Sequence, residues 1–348
     1  MVIQLGAIGI GGIGHLELDF LAGMADVQIV AGADVSRGAC AVFEDEFDAP
    51  AYADHRAMLD AHAGELDGVL VATPHVFHYE QATACLEAGL HVLLEKPMTM
   101  DVRDAVALAR TARNRDRVLQ IGYQRRFHPV FQTMKNVVDS GRMGDLHTVV
   151  CYIGQDWITP QQGTWRVDPE VSGGGQLYDT GSHLLDALLW VSGGAPETVT
   201  ASIEYAVPEI DVSAALTTRL AREGHVATAS VAVTGDGVET DPREGYVVWG
   251  TRGCLVYTGD RLYVEHKGAT RYTVEAGAAT HYDETTFRKV RNFVDAVAGR
   301  ADPQVPAAES VPVVALTEGA YLAAEEGRTV DVQRLIADAE REFEGDGR

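Results

Sequence analysis

Residues His91–Met100 read HVLLEKPMTM, an apolar stretch that ends in Glu95, Lys96 and Pro97. Lysine is scarce here, occurring only at Lys96, Lys135, Lys267 and Lys289, so an ammonium just beyond an apolar run is a candidate for chemistry. Pro97 biases the residue before it toward extended torsions and so directs Lys96. A second group lies in SGGGQLYDTGSHLLDALLW, Ser172–Trp190, where three glycines lead into a helix carrying Asp179 and His183. Four residues apart, these two share a helix face. Alone, such a pair more often stabilises a helix than catalyses. Adding Asp186 makes no metal site, because scattered ligands without companion cysteines or an H-E-x-x-H pattern coordinate poorly. With Lys96 the set meets the needs of alcohol oxidation: a proton acceptor near neutrality, a positive charge for a developing alkoxide, and a carboxylate to fix hydroxyls.

A hydride acceptor has its own candidate site. The run GAIGIGGIGH holds Gly9, Gly11 and Gly14 as G-x-G-x-x-G directly after a strand-like segment, and the next such segment ends at Asp34. Glycines there allow a tight turn and close approach of backbone N–H groups to a pyrophosphate, while the acidic residue accepts from the adenosine ribose hydroxyls. Asp34 favours NAD. Arg37 is placed to grip a 2′-phosphate, which leaves NADP open. Thr73-Pro74 closes a strand as Lys96-Pro97 does and should line the same crevice.

The elements that must position these groups fall into two textures. Up to residue 122, strand-like runs Val2–Ile8, Val27–Asp34, Gly68–Thr73, His91–Glu95 and Val118–Gly122 alternate with helix-like Ile13–Ala22, Ser36–Phe47, Val76–Ala88 and Asp101–Asn114, the pattern of a parallel sheet covered on both faces. Beyond Gly144 come eight strand-like runs from His147–Gln155 to Arg271–Glu275, broken by a helix near Gly175–Ser192 and followed by helices near Glu284–Ala298 and Glu309–Glu325. The expectation is an α/β N-terminal domain over residues 1–124 and an α+β domain with a large, mainly antiparallel open sheet over 125–348. The acidic tail after Ala339 is expected to fray.

The chain of 348 residues carries a formal charge of −23, which excludes nucleic acid and anionic membranes as partners, since both need a basic face. No apolar run reaches the roughly 20 residues of a membrane span. Cys40, Cys85, Cys151 and Cys254 lie far apart, as reduced thiols of a cytoplasmic protein do. Strand faces bearing Val231, Val233, Val247 and Trp249 suggest a homodimer or homotetramer built on the second sheet.

Gly9-x-Gly11-x-x-Gly14, Thr73-Pro74 with His78, Glu95-Lys96-Pro97, GYQRRFHP at Gly122–Pro129, and Gly173–Gly175 with Asp179-x-x-x-His183 occur in this order along the chain. In that order and spacing the chain resembles the glucose–fructose oxidoreductase / inositol dehydrogenase / rhizopine catabolism (Gfo/Idh/MocA) family across essentially its whole length. The resemblance implies an NAD(P)-dependent oxidoreductase with an N-terminal Rossmann domain, Lys96, Asp179 and His183 as catalytic set, and His183 as acid/base. It implies a cofactor-binding set of Gly9, Gly11, Gly12, Ile13, Gly14, Asp34, Arg37, Thr73, Pro74, His78, Glu95, Lys96 and Gln124. Tyr123, Arg126, Trp165, Arg166 and Tyr282 join the catalytic residues as candidate contacts to a carbohydrate or polyol. Arg126 could equally pair with an acidic neighbour, and Trp165 could equally be a core residue. The leading function is dehydrogenation of a secondary alcohol on a sugar, sugar acid or inositol-like polyol. The alternatives are an NAD-dependent glycosidase or sugar–sugar oxidoreductase that retains its cofactor, and a non-catalytic sugar or cofactor sensor.

Overall fold

In a computed structural model of the chain, which describes residues 2–239, 241–275 and 280–345, the apolar runs become alternating strands and helices. They begin with β1 (Ile3–Ile8), α1 (Ile13–Ala22), β2 (Val27–Ala33), α2 (Arg37–Phe47), β3 (Ala51–Tyr52), α3 (His55–His62), β4 (Gly68–Val71), α4 (His78–Glu87), β5 (His91–Leu94), α5 (Val102–Asn114) and β6 (Leu119–Ile121). There follow α6 (Pro129–Asp139), β7 (Leu146–Gly154), the short α7 (Ile158–Gln161) and α8 (Pro169–Ser172), a π-helical turn at Leu177–Gly181, and α9 (Ser182–Ser192). The chain continues through β8 (Ala195–Val207), β9 (Ile210–Arg222), β10 (His225–Thr234), β11 (Glu244–Gly250), β12 (Gly253–Tyr257), β13 (Leu262–His266) and β14 (Tyr272–Val274). It ends with α10 (Tyr282–Val297), α11 (Ala307–Glu326), β15 (Val330–Asp331) and α12 (Val332–Gly345). Among the described residues no helix is long and apolar enough to cross a membrane.

By its contacts the chain divides into two units, Met1–Tyr123 with Tyr282–Val311, and Gln124–His281 with Pro312–Arg348. A single cut after residue 124 therefore gives way to an interleaved division. The reason is α10, whose Val290, Phe293 and Val294 join Ile3, Leu5 and Ala7 of β1 and Leu18 and Leu21 of α1 in one buried cluster. Val305 accepts a hydrogen bond from the Ile121 amide, and Pro306 bridges to Gln120, so the segment before α11 runs beside β6.

The first unit is a parallel sheet in the order β3-β2-β1-β4-β5-β6, the doubly wound arrangement, in which strand order reverses beside β1. Of its middle strands β4 is buried from end to end, and β1 and β5 are buried except at Gln4 and His91, as both-face coverage requires. Ser36 and Asp101 cap α2 and α5 by accepting from Ala39 and Asp104 amides, which fixes where each helix starts.

The second unit is a sheet in the order β14-β13-β12-β11-β7-β10-β9-β8-β15. Only β7–β10 pair in parallel among its neighbours. Burial alternates along β9 and β10, so one face is covered and the other open. Val231 and Val233, read from sequence as available for a partner, lie on the covered face at 3% and 2% exposure. Trp249 does lie on an open surface, at 38%; the open face of β9 and β10 offers Ala215, Thr217, Ser230 and Ala232 together with the exposed Val226. The acidic tail, expected to fray after Ala339, is helical as far as Gly345. It continues α12, with Val332 and Ala339 buried, and residues 346–348 lie outside the described residues.

One ion cluster ties the first unit together. The Lys289 ammonium of α10, fully buried, pairs with Glu17 of α1 and with Glu95 at the end of β5. Burial pushes the Glu95 carboxyl up, but the charge and hydrogen bond of Lys289, with help from Lys96, outweigh this and hold it below its ordinary value. For Glu17 burial wins over Lys289, the nearby Glu95 charge adds to it, and the carboxyl is raised far above the ordinary 4.5. Lys289→Met removes the cation buried between Glu17 and Glu95 and should cost about 3–5 kcal/mol, the usual effect of stranding a buried charge; urea unfolding of wild type and variant measures it. Because the folded Glu17 keeps a proton that the unfolded one has lost, its contribution to stability is full below pH 4.5 and is lost as pH rises through the raised value. Thermal melts from pH 5 upward should show that slope, and Glu17→Gln should flatten it.

Candidate active site

The glycine turn between β1 and α1 is shaped by close approach. Gly9 has φ +82°, and a Cβ there would meet the Ala72 carbonyl oxygen at 2.6 Å. At Gly14 a Cβ would stand 1.9 Å from the Gly9 oxygen, so α1 packs on the strand only without a side chain. At Gly11 and Gly12, in contrast, a Cβ would meet no atom of the described residues within 4 Å beyond its chain neighbours. No side chain caps the N-terminus of α1, and although the Gly14 amide donates to the Gly11 carbonyl at 3.1 Å, the positive end of the helix dipole faces that space. Asp34 stands at the end of β2, its carboxylate accepting from the Ile10 amide at 3.1 Å and the Ser36 amide at 2.8 Å. These bonds fix it to the glycine turn and leave lone pairs for further donors. Open space over the glycines, uncapped amides and an anchored carboxylate fit the pyrophosphate and ribose of a dinucleotide. Arg37 begins α2 and is exposed.

At the neighbouring strand ends, Thr73 donates to Gln81 Oε1 at 2.5 Å. Lys96 is half-buried, and its bond to Pro97 is cis. His78 was read from sequence among the cofactor contacts. It is instead fully buried, with Nδ1 2.7 Å from the Pro97 oxygen and Nε2 2.9 Å from the Thr73 oxygen. The ring thus braces the two turns after β4 and β5 from behind, and burial depresses its pKa against the pull of those carbonyls. Glu95 sits at 6% exposure with its carboxylate engaged by Lys289 and by the Lys96 amide; it holds the turn in place. Tyr123 is fully buried, against its reading as a substrate contact. Tyr282, half exposed, begins α10, where its carbonyl accepts from the Thr285 and Thr286 hydroxyls.

In the second unit, Asp179 lies in the π turn and His183 in the first turn of α9, at 7% and 8% exposure. Asp179 Oδ2 accepts from Trp157 Nε1 at 2.8 Å and lies 3.4 Å from Arg166 Nε. The Arg166 guanidinium stacks 4.5 Å from the centre of the Trp165 ring. Trp165, Arg166 and Asp179 are therefore brought together, and Trp157 and Gln155 join them, the latter donating to the Thr180 hydroxyl at 2.9 Å. Sequence reasoning missed both. Their one signal was polar and aromatic residues clustered in the loop where β7 stops. Arg126 does not belong to this group. At 2% exposure its guanidinium donates to both oxygens of the fully buried Asp186, at 2.6–3.1 Å, so it locks α9 and the Asp186 carboxylate is spent on it. Gln124 opens the 3-10 turn that carries Arg126. Lys96 stands on the first unit and Asp179 and His183 on the second.

Residues 3–123 match the family described as an oxidoreductase family with an NAD-binding Rossmann fold, and residues 131–256 match the GFO/IDH/MocA C-terminal domain. The chain is 36% identical over 136 residues to scyllo-inositol 2-dehydrogenase (NADP(+)) IolW of Bacillus subtilis; that stretch covers 39% of this chain and 37% of that enzyme. It is 25% identical over 346 residues to inositol 2-dehydrogenase of Rhizobium meliloti, covering 95% of this chain and all of the other. In fold it matches levoglucosan dehydrogenase in complex with NADH and levoglucosan with a TM-score of 0.84, at 23% identity, over 95% of this chain and 100% of that one. Gly11→Ala separates binding from folding. With no protein atom near the new methyl, Tm should stay close to wild type, as for surface changes within about 0.5 kcal/mol. NADH affinity, read by fluorescence titration, should fall on the order of tenfold or more, because the methyl stands where a pyrophosphate must approach.

Proposed function

This chain belongs to the Gfo/Idh/MocA family of NAD-binding oxidoreductases, and from that premise we propose that it oxidises a secondary alcohol of a sugar, sugar acid or inositol-like polyol. The observation that carries the reading is the open, uncapped glycine turn beside the anchored Asp34 carboxylate. Gly9–Gly14, Asp34 and Thr73 would hold NAD, with Arg37 placed to admit NADP. NAD, when bound, accepts the hydride from the carbinol carbon. His183 removes the hydroxyl proton, and Lys96 stabilises the charge that develops on that oxygen. Asp179, already tied to Trp157 and Arg166, keeps a fixed direction in which to accept from a substrate hydroxyl or from the histidine. Arg166 and its Trp165 platform offer N–H donors and an apolar face, the pairing by which a sugar ring is gripped.

Relatives named for inositol dehydrogenation support the substrate class. The open face of the nine-stranded sheet supports a homodimer or homotetramer, and four free cysteines support a reducing, cytoplasmic location.

Sugars and inositols screened with NAD and NADP, followed by absorbance of the reduced cofactor, identify the substrate; release of no NADH by a protein that carries bound cofactor would turn the reading toward a retained-cofactor enzyme. On the substrate so found, His183→Ala should lower kcat by about 10²–10⁴-fold, the usual weight of a proton-transfer group, with NADH affinity almost unchanged. A wild-type rate in both His183→Ala and Lys96→Met would remove the assignment. Light scattering at micromolar concentration should return a multiple of the 37.4 kDa chain mass.

A further inference from the structure

The segment that carries Asp179 and His183 begins without local support. Gln176 stands at the N-cap of the π turn and gives no side-chain cap bond, although the first N–H groups of any helix need acceptors. Those acceptors come from a strand more than thirty residues away in sequence. Asp211, fully buried at the start of β9, accepts from the Gly175 amide through Oδ1 at 2.7 Å and from the Leu177 amide through Oδ2 at 2.8 Å. Its Oδ1 also accepts from the hydroxyl of Tyr321 on α11, and the Tyr321 ring stacks on Tyr178 of the π turn at 4.9 Å and 15°.

The approach is too tight for slack. A Cβ on Gly175 would lie 2.0 Å from the backbone carbonyl oxygen of Asp211, and one on Gly174 would lie 2.5 Å from the Tyr178 ring. The first turn then closes through the Asp179 amide bonding to the Gly175 oxygen at 3.1 Å. A π turn is an uncommon geometry that appears mostly where function or packing demands it, and here both of its ends of freedom are removed by one carboxylate and one ring.

We propose that Asp211 and Tyr321 are positioning residues for the reaction, setting the direction in which the π turn presents Asp179 and His183. This rests on the reading that His183 moves the proton; it concerns how that side chain is held.

The test uses the full chain saturated with NADH and reads the imidazole NMR signal of His183, identified by its loss in His183→Gln. Asp211→Asn keeps shape but leaves one of the two amides facing an NH2 group, and Tyr321→Phe removes only a hydroxyl. In each, the titration midpoint of His183 should move on the order of half a pH unit, since a histidine responds to small changes in its surroundings. The His78 signal and the NADH Kd should stay within about twofold, because the first unit is untouched. A role confined to general stability would lower Tm and leave the His183 midpoint where it is. An unchanged midpoint in every variant that folds overturns the proposal, and Tyr321→Phe keeps it decidable if Asp211→Asn does not fold. Wild-type turnover by His183→Gln on the substrate found in the screen would instead overturn the functional reading, whatever the midpoint does.

Discussion

An ammonium cut off from water must be surrounded by negative charge, and in the first unit Lys289 imposes that demand on three elements at once. Glu17 comes from the helix whose N-terminus faces the dinucleotide space, Glu95 from the strand end that carries Lys96, and the lysine from a helix almost two hundred residues later. Two carboxyls around one cation leave a surplus negative charge that burial will not tolerate, so one carboxyl keeps its proton. The direction of the two pKa shifts says which: Glu95 stays ionised beside Lys289 and Lys96, and Glu17 is the neutral partner. Such clusters add little net stability compared with apolar packing, but they permit few alternative arrangements. The turn at Glu95-Lys96-Pro97 is thereby given one place relative to the glycine turn.

The second unit reaches a similar end with different chemistry. Arg126 and Asp186 fasten α9, Trp157 and Arg166 engage Asp179, and Asp211 caps the turn before it. Each of these bonds joins the helix to a different stretch of chain. Buried polar groups with all partners in place rigidify a region, which is what a proton-transferring side chain requires of its support.

Much of this was legible in the sequence because it is local. Five of the six strands of the first sheet and the glycine turn follow from period and residue type within a dozen positions. What stayed hidden depends on distant partners. The short edge strands β3 and β15 exist only through their neighbours; α3 has only Met58 and Leu59 as large apolar residues, whereas α6 does show Val130, Phe131, Met134 and Val138 at helical spacing and was legible but unread. Alternation along β10 was visible, but which half of it faces helices is decided by register, so Val231 and Val233 were assigned to the open side. Arg126 offered an acidic neighbour as one of two readings, and only the fold shows that Asp186 is that neighbour. Lys289 left a trace that could have been used: it falls in the buried stripe of α10 with Thr285, Phe293 and Ala296, a position where lysine is rare unless paired.

The interleaved division of the chain bears on how it is made. A ribosome releases residues in order, and N-terminal domains commonly fold while the rest is still being synthesised. Here the first 123 residues emerge with Glu17 and Glu95 lacking their cation and with the face of β1 lacking Val290, Phe293 and Val294. The dinucleotide unit therefore has to wait, incomplete, through the synthesis of eight of the nine strands of the second sheet, β7 to β14. Its closure is a late event in the life of the nascent chain, and a fragment ending near residue 123 is an unfinished object rather than a small domain.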